Sequence, residues 1–146
     1  MDLKFRRTKS HIKMRAEFVP YELALALKEL AFDEKCLSCY LYEVETFSWE
    51  LNYQISNNSI PWIISAPLYQ QAFRWFREKY NLRGFIGFRP NVKQFDCHIY
   101  DMSLSGKEYV KQRTMEEYNK DPKVGTYEEA ELECIKKLIE IVKEKK

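Results

Sequence analysis

Residues 68–80, Leu-Tyr-Gln-Gln-Ala-Phe-Arg-Trp-Phe-Arg-Glu-Lys-Tyr, constrain the fold more than any other segment. Leu68, Ala72, Phe73, Phe76 and Tyr80 recur at three- and four-residue spacing, so the segment reads as a helix with one apolar stripe. Pro67 stands at its start, and Arg74, Arg77 and Glu78 turn toward water. Such a stripe has to be buried against another layer of structure. Two more segments make the same demand. Leu23, Ala26, Leu27 and Leu30 define a helix from about Pro20 to Phe32. Thr126-Tyr127-Glu128-Glu129 has capping-box spacing and opens a third helix, whose stripe is Ala130, Cys134, Ile135, Leu138, Ile141 and Val142.

The segments between the stripes supply the opposing layer. Residues 36–45 and 49–55 are rich in Tyr, Leu, Val and Trp and read as a hairpin, and Trp62-Ile63-Ile64 follows the turn signal Ser56-Asn57-Asn58-Ser59 as a short third strand. Residues 84–89 and 95–102 form two more strands around Pro90-Asn91, with Gly84 and Gly87 weakening the first. Residues 103–125 are crowded with charge and read as a surface excursion holding a short helix near 108–118. The expected class is α+β, an antiparallel sheet of four to five strands under three helices, in the order α-β-β-(β)-α-β-β-α. At 146 residues, the chain divides into a basic arm, 1–15, and one domain, 16–146.

Charge is balanced in total, at a net +2, and uneven along the chain. Residues 1–15 hold six basic side chains against one acidic, 16–66 two against eight, and 67–100 six against two. Met14 is an alternative start, and beginning there would turn the net charge to −2. No apolar run of signal-peptide or membrane-span length occurs, so a secreted or membrane protein is not expected, and Cys36, Cys39, Cys97 and Cys134 read as reduced, buried thiols.

No catalytic, cofactor or metal site assembles from the sequence. Cys36-Leu-Ser-Cys39 has the spacing of a zinc half-site but lacks a second close pair of ligands. Cys97 and His98 are neighbours on a strand and face opposite ways, which rules them out as a nucleophile–base pair. Two binding surfaces remain as candidates. Arg74, Arg77, Arg83, Arg89 and Lys93, interleaved with Trp75, Phe85, Phe88 and Phe95, offer cations and aromatic platforms for nucleic acid, with Arg6, Arg7 and Lys9 of the arm as further contacts. Tyr40 and Tyr42, alternating with Leu41, offer an aromatic sheet face to a protein partner.

Three blocks carry a resemblance: Pro20-Tyr21-Glu22-Leu23-Ala24-Leu25-Ala26-Leu27-Lys28-Glu29-Leu30; Ser65-Ala66-Pro67 with Gln71-Ala72-Phe73-Arg74-Trp75-Phe76-Arg77-Glu78-Lys79-Tyr80; and Thr126-Tyr127-Glu128-Glu129-Ala130 through Lys137-Leu138-Ile139-Glu140. Together they resemble a family of small uncharacterised proteins encoded by phages, prophages and mobile elements of gut bacteria, over nearly everything after Phe18. The basic arm is where the chain departs from that pattern. The resemblance implies a phage-related setting, cytoplasmic or virion-associated, and carries no chemistry or cofactor with it. The expectation is a non-enzymatic accessory protein that binds a protein partner. Nucleic-acid binding is the alternative, and an enzyme without a recognisable motif the third.

Overall fold

The stripes become helices: α1 (Tyr21–Glu29), α2 (Tyr69–Tyr80) and, at the C-terminus, the eighteen-residue α4 (Tyr127–Glu144). A shorter α3 (Met115–Lys120) precedes the last. The strands are β1 (Ser38–Leu41), β2 (Phe47–Trp49), β3 (Ile63–Ala66), β4 (Leu82–Arg89), β5 (Gln94–Asp101) and β6 (Glu108–Lys111). This computed structural model describes residues 15–41, 47–49, 60–103, 106–111, 114–121 and 123–146. The α+β class is as expected from the sequence. The single sheet is not: the strands form two antiparallel three-stranded sheets, ordered β2-β1-β3 and β4-β5-β6.

The helix α2 is buried on two sides. Its buried surface is wider than one stripe, because Trp75 is only 4% exposed and its ring stands edge-on to Phe32, 5.2 Å away, while Phe73 faces the second sheet at Gly84. The helix ends at Asn81, whose left-handed φ of 55° turns the chain straight into β4. The helix α1 packs on β3, and α4 crosses β4 and β5 and touches both α1 and α2. One continuous core therefore runs from Phe18 to Val142.

Residues 108–118 hold a strand and a helix where a short helix was expected. Glu108-Tyr109-Val110-Lys111 adds to the free edge of β5, pairing Tyr100 with Glu108 and Cys97 with Lys111. After it, Thr114 and Glu117 form a reciprocal capping box that starts α3, a helix with no buried residue. The expected box at Thr126 is half realised. Thr126 Oγ1 accepts from Glu129 N–H at 3.3 Å, but the Glu129 carboxylate accepts from Gly125 N–H at 3.2 Å, one residue further back. Gly125 has φ 80°, and a Cβ there would lie 2.9 Å from Gln94 Cγ, so only glycine suits this turn.

Candidate functional site

The β4–β5 hairpin sorts its side chains by strand alternation. Leu82, Gly84 and Ile86 stand opposite Asp101, Ile99 and Cys97 on the inner face. The helices come close there: a Cβ on Gly84 would lie 3.0 Å from Leu138 Cδ1 and 3.1 Å from Phe73 Cδ1. Arg83, Phe85, Gly87 and Arg89, opposite Tyr100, His98, Asp96 and Gln94, make the outer face.

The outer face carries three rings in a ladder. Phe85 stacks on His98 with centroids 5.1 Å apart and planes 12° from parallel, and on Tyr100 at 5.7 Å and 8°. Phe85 is 37% exposed and Tyr100 36%. Gly87 makes room for the ladder, because a Cβ there would fall 2.6 Å from His98 Nε2. The Arg83 guanidinium lies 5.9 Å from the Phe85 ring centre, within cation–π range. Glu108 of β6 completes the group. Its Oε1 is 3.4 Å from His98 Nδ1, and the nearby carboxylate, together with partial desolvation, raises the Tyr100 phenol's pKa above the ordinary range.

The opposite end of this face is closed. Arg89 forms an ion pair with Asp96, itself almost fully buried, and donates to Gln94 Oε1 at 2.9 Å. Gln94 in turn lies against Gly125 and places its Nε2 3.9 Å from Met115 Sδ. The open platform is therefore the Arg83–Tyr100 end.

The basic segment expected to form one surface is divided by the fold. Arg74 and Arg77 lie on the solvent side of α2, which packs against the inner face, so the sheet stands between them and Arg83. Arg74 is paired with Glu34 at 2.9 Å. Arg89 is committed to Asp96, and Lys93 is exposed in the hairpin turn with φ 52°. Trp75 is core and offers no platform, a correction that follows from the double burial of α2. Phe88 and Phe95 pair at 4.8 Å, with Phe88 exposed and Phe95 edge-on to Tyr127 of α4 at 5.5 Å. Arg6, Arg7 and Lys9 lie outside the described residues, as does Tyr42.

Tyr40 is also a correction. It is 2% exposed, with its hydroxyl donating to Val19 O at 3.0 Å, so it ties β1 to the segment before α1 and presents nothing to a partner. The residues that sequence reasoning missed are His98 as a ladder ring, Tyr100 and Glu108. The period-two pattern Arg83-x-Phe85-x-Gly87-x-Arg89 against Gln94-x-Asp96-x-His98-x-Tyr100 was the signal that could have found the first two, once the turn at residues 90–93 fixed the register.

A second concavity, about 970 Å³, is bounded by Arg15, Tyr21, Glu22, Tyr69, Glu128 and Glu129 among others. Glu131, buried nearby, has its carboxyl pushed up to about 7 by burial and by Glu17 and Glu128. Among the described lining residues there is no His, Cys or Ser, and the Thr126 hydroxyl donates to Lys123 O at 2.7 Å, so no activated nucleophile forms there. All four cysteines are buried, and burial holds the Cys36 thiol up at about 12. Among the described residues no three His, Cys, Asp or Glu side chains gather as a metal would require, and no helix is long and apolar enough to cross a membrane. No family model, curated protein or solved structure matches this chain.

Proposed function

We propose that the protein binds single-stranded nucleic acid on the outer face of β4–β5–β6. The observation that carries this reading is the Phe85–His98–Tyr100 ladder, three near-parallel rings on an uncovered sheet face with a guanidinium beside them. Unstacked bases seek such surfaces, each base adding roughly 1–3 kcal/mol by stacking on an aromatic side chain, and open antiparallel sheets with aromatics are a recurrent way of holding two or three of them. Duplexes hide their base faces and gain nothing from the ladder. Arg83, together with Lys107 one residue before Glu108, supplies charge for the phosphates. Two such contacts imply a salt slope of about −1.5 in log K against log salt for a single strand. The resemblance to phage and mobile-element proteins fits an accessory role of this kind.

Anisotropy titrations of labelled twelve-nucleotide single strands and duplexes, at low and physiological salt, test the reading. Phe85→Ala is expected to weaken single-strand binding about 10-fold or more, and Arg77→Ala, on the far side of the sheet, to leave it alone. Equal loss from both variants, or no binding by the wild type at low salt, overturns it.

A protein partner is the second reading, favoured by one observation. Trp62 is 64% exposed immediately before β3, and Leu41 at the end of the adjoining β1 is exposed as well. Large apolar side chains grouped on a surface mark interaction sites. Trp62→Ala separates the two readings, because it weakens capture of a protein partner and not of an oligonucleotide.

A further inference from the structure

The outer face holds two carboxylates with very different surroundings. Asp96 is neutralised by Arg89 in a buried ion pair. Glu108 stands at the open end, its side chain 40% exposed, and its described ionic partner is His98, which is not a permanent cation. On a surface that meets phosphates, an un-neutralised carboxylate weakens binding by repulsion. Its presence there needs a compensating interaction, and base edges rich in N–H donors provide one.

We infer that Glu108 makes this platform selective for guanine, a deepening that rests on the single-strand reading above. Glu108 is the register partner of Tyr100, so a base stacked on the Tyr100 end of the ladder brings its edge alongside the carboxylate. Guanine presents N1–H and N2–H side by side, and these two donors match the two oxygens of a carboxylate. Adenine and cytosine place their single amino group next to a ring-nitrogen lone pair, which repels a carboxylate. Uracil and thymine flank their one N–H with two carbonyls. A carboxylate has about four acceptor sites, and the contact with His98 occupies one, leaving capacity for a bidentate pair. One good bidentate pair discriminates by about 10-fold or more.

The test uses the full chain and eight-nucleotide uridine strands carrying one central guanine, adenine, cytosine or uridine, so that no strand can self-associate through runs of guanine. The wild type is expected to bind the guanine strand about 10-fold more tightly than the others, and Glu108→Gln to bring that ratio close to one. A melting curve of the variant establishes that it is folded. A wild type that binds all four strands alike, or a Glu108→Gln variant that keeps the preference, overturns the guanine inference and leaves the single-strand reading standing. A wild type that binds none of the strands overturns both.

Discussion

The inner and outer faces of the β4–β5 hairpin are built from the same two strands, and they treat large side chains in opposite ways. On the inner face Ile99 and Leu82 are fully buried, and Gly84 yields its space to Phe73 and Leu138 of the helices above. On the outer face Gly87 yields its space to His98, a side chain of the same sheet, and the rings beyond it meet solvent. Antiparallel sheets with one covered face ordinarily turn polar residues to water on the other. Apolar groups on the inner face are required by the fold. Aromatic rings on the outer face exceed what the fold requires, and that excess is why the outer face is read as the working surface.

The largest test of the comparison lies under the inner face. Phe76, with no exposed surface, sits in the core beside Trp75 and Tyr80. Phe76→Ala is expected to cost roughly 3–5 kcal/mol in denaturant unfolding, while Arg77→Ala, one residue on and exposed, stays within about 0.5 kcal/mol of the wild type. The reverse order would place the buried side of α2 wrongly.

The two glycines sharpen the contrast. At Gly84 an added methyl meets Leu138, Phe73 and Cys134 at 3.0–3.2 Å, all in a packed interior, so Gly84→Ala is expected to destabilise by roughly 1–3 kcal/mol. At Gly87 the nearest atoms to the methyl all belong to the His98 imidazole, a side chain of the outer face. Gly87→Ala is expected to change stability by less than about 1 kcal/mol and to show instead in oligonucleotide binding, because it unseats a ladder ring. Equal melting losses from both substitutions would mean that the outer face is packed as tightly as the inner.

What the sequence made legible was local. Residues 68–80 and 126–142 announce their helices because the apolar spacing is contained within them, and Pro90 marks the hairpin turn next to strands that alternate. The separation into two sheets was hidden, since the pattern within a strand does not say which strands pair, and β3 pairs with β1 while β4 pairs with β5. The strand β6 was hidden for a similar reason: Glu108–Lys111 is recognisable only by its partner, residues 97–100. Tyr40 misled because alternation says which side a ring takes, not which side is covered, and its hydroxyl finds Val19 O across the core. The basic segment misled because Arg74 and Arg83 are neighbours in sequence, but helix and strand place them on opposite sides of a sheet.

A pH experiment probes the inner face at its rim. Asp101 shares the inner register with Ile99 and is nearly buried. Lys145 Nζ donates to it at 2.6 Å and Ser103 N–H at 2.9 Å, and these bonds hold its carboxyl down at about 2 against an ordinary 3.8. A depressed carboxyl pKa contributes stability that is complete above about pH 4 and is lost as pH falls through about 2. Unfolding measured from pH 5 to pH 2 is expected to show this acid loss in the wild type, and Asp101→Asn to lack that component and to be less stable at pH 7 by about 1 kcal/mol. An unchanged acid limb in the variant would mean that the contact between α4 and the rim of the sheet contributes nothing measurable.

The smallest expected change in stability belongs to Phe85→Ala, and it is the one that decides whether the two faces differ in kind. Phe85 touches His98 and Tyr100 across the strand pair and has no helix above it among the described residues. Cross-strand pairs of this sort are worth roughly 0.2–1 kcal/mol, against several kcal/mol for a core aromatic, so the variant is expected to melt within about 1 kcal/mol of the wild type. If the ring serves the fold, that small loss is all its removal produces. If it serves a ligand, the same variant loses about 10-fold or more in single-strand affinity while its melting curve hardly moves, and a stacked base is then measured by its absence. A loss near 3 kcal/mol would instead make Phe85 a core residue, and the ladder would then be scaffolding for the sheet and no longer an argument for a binding surface.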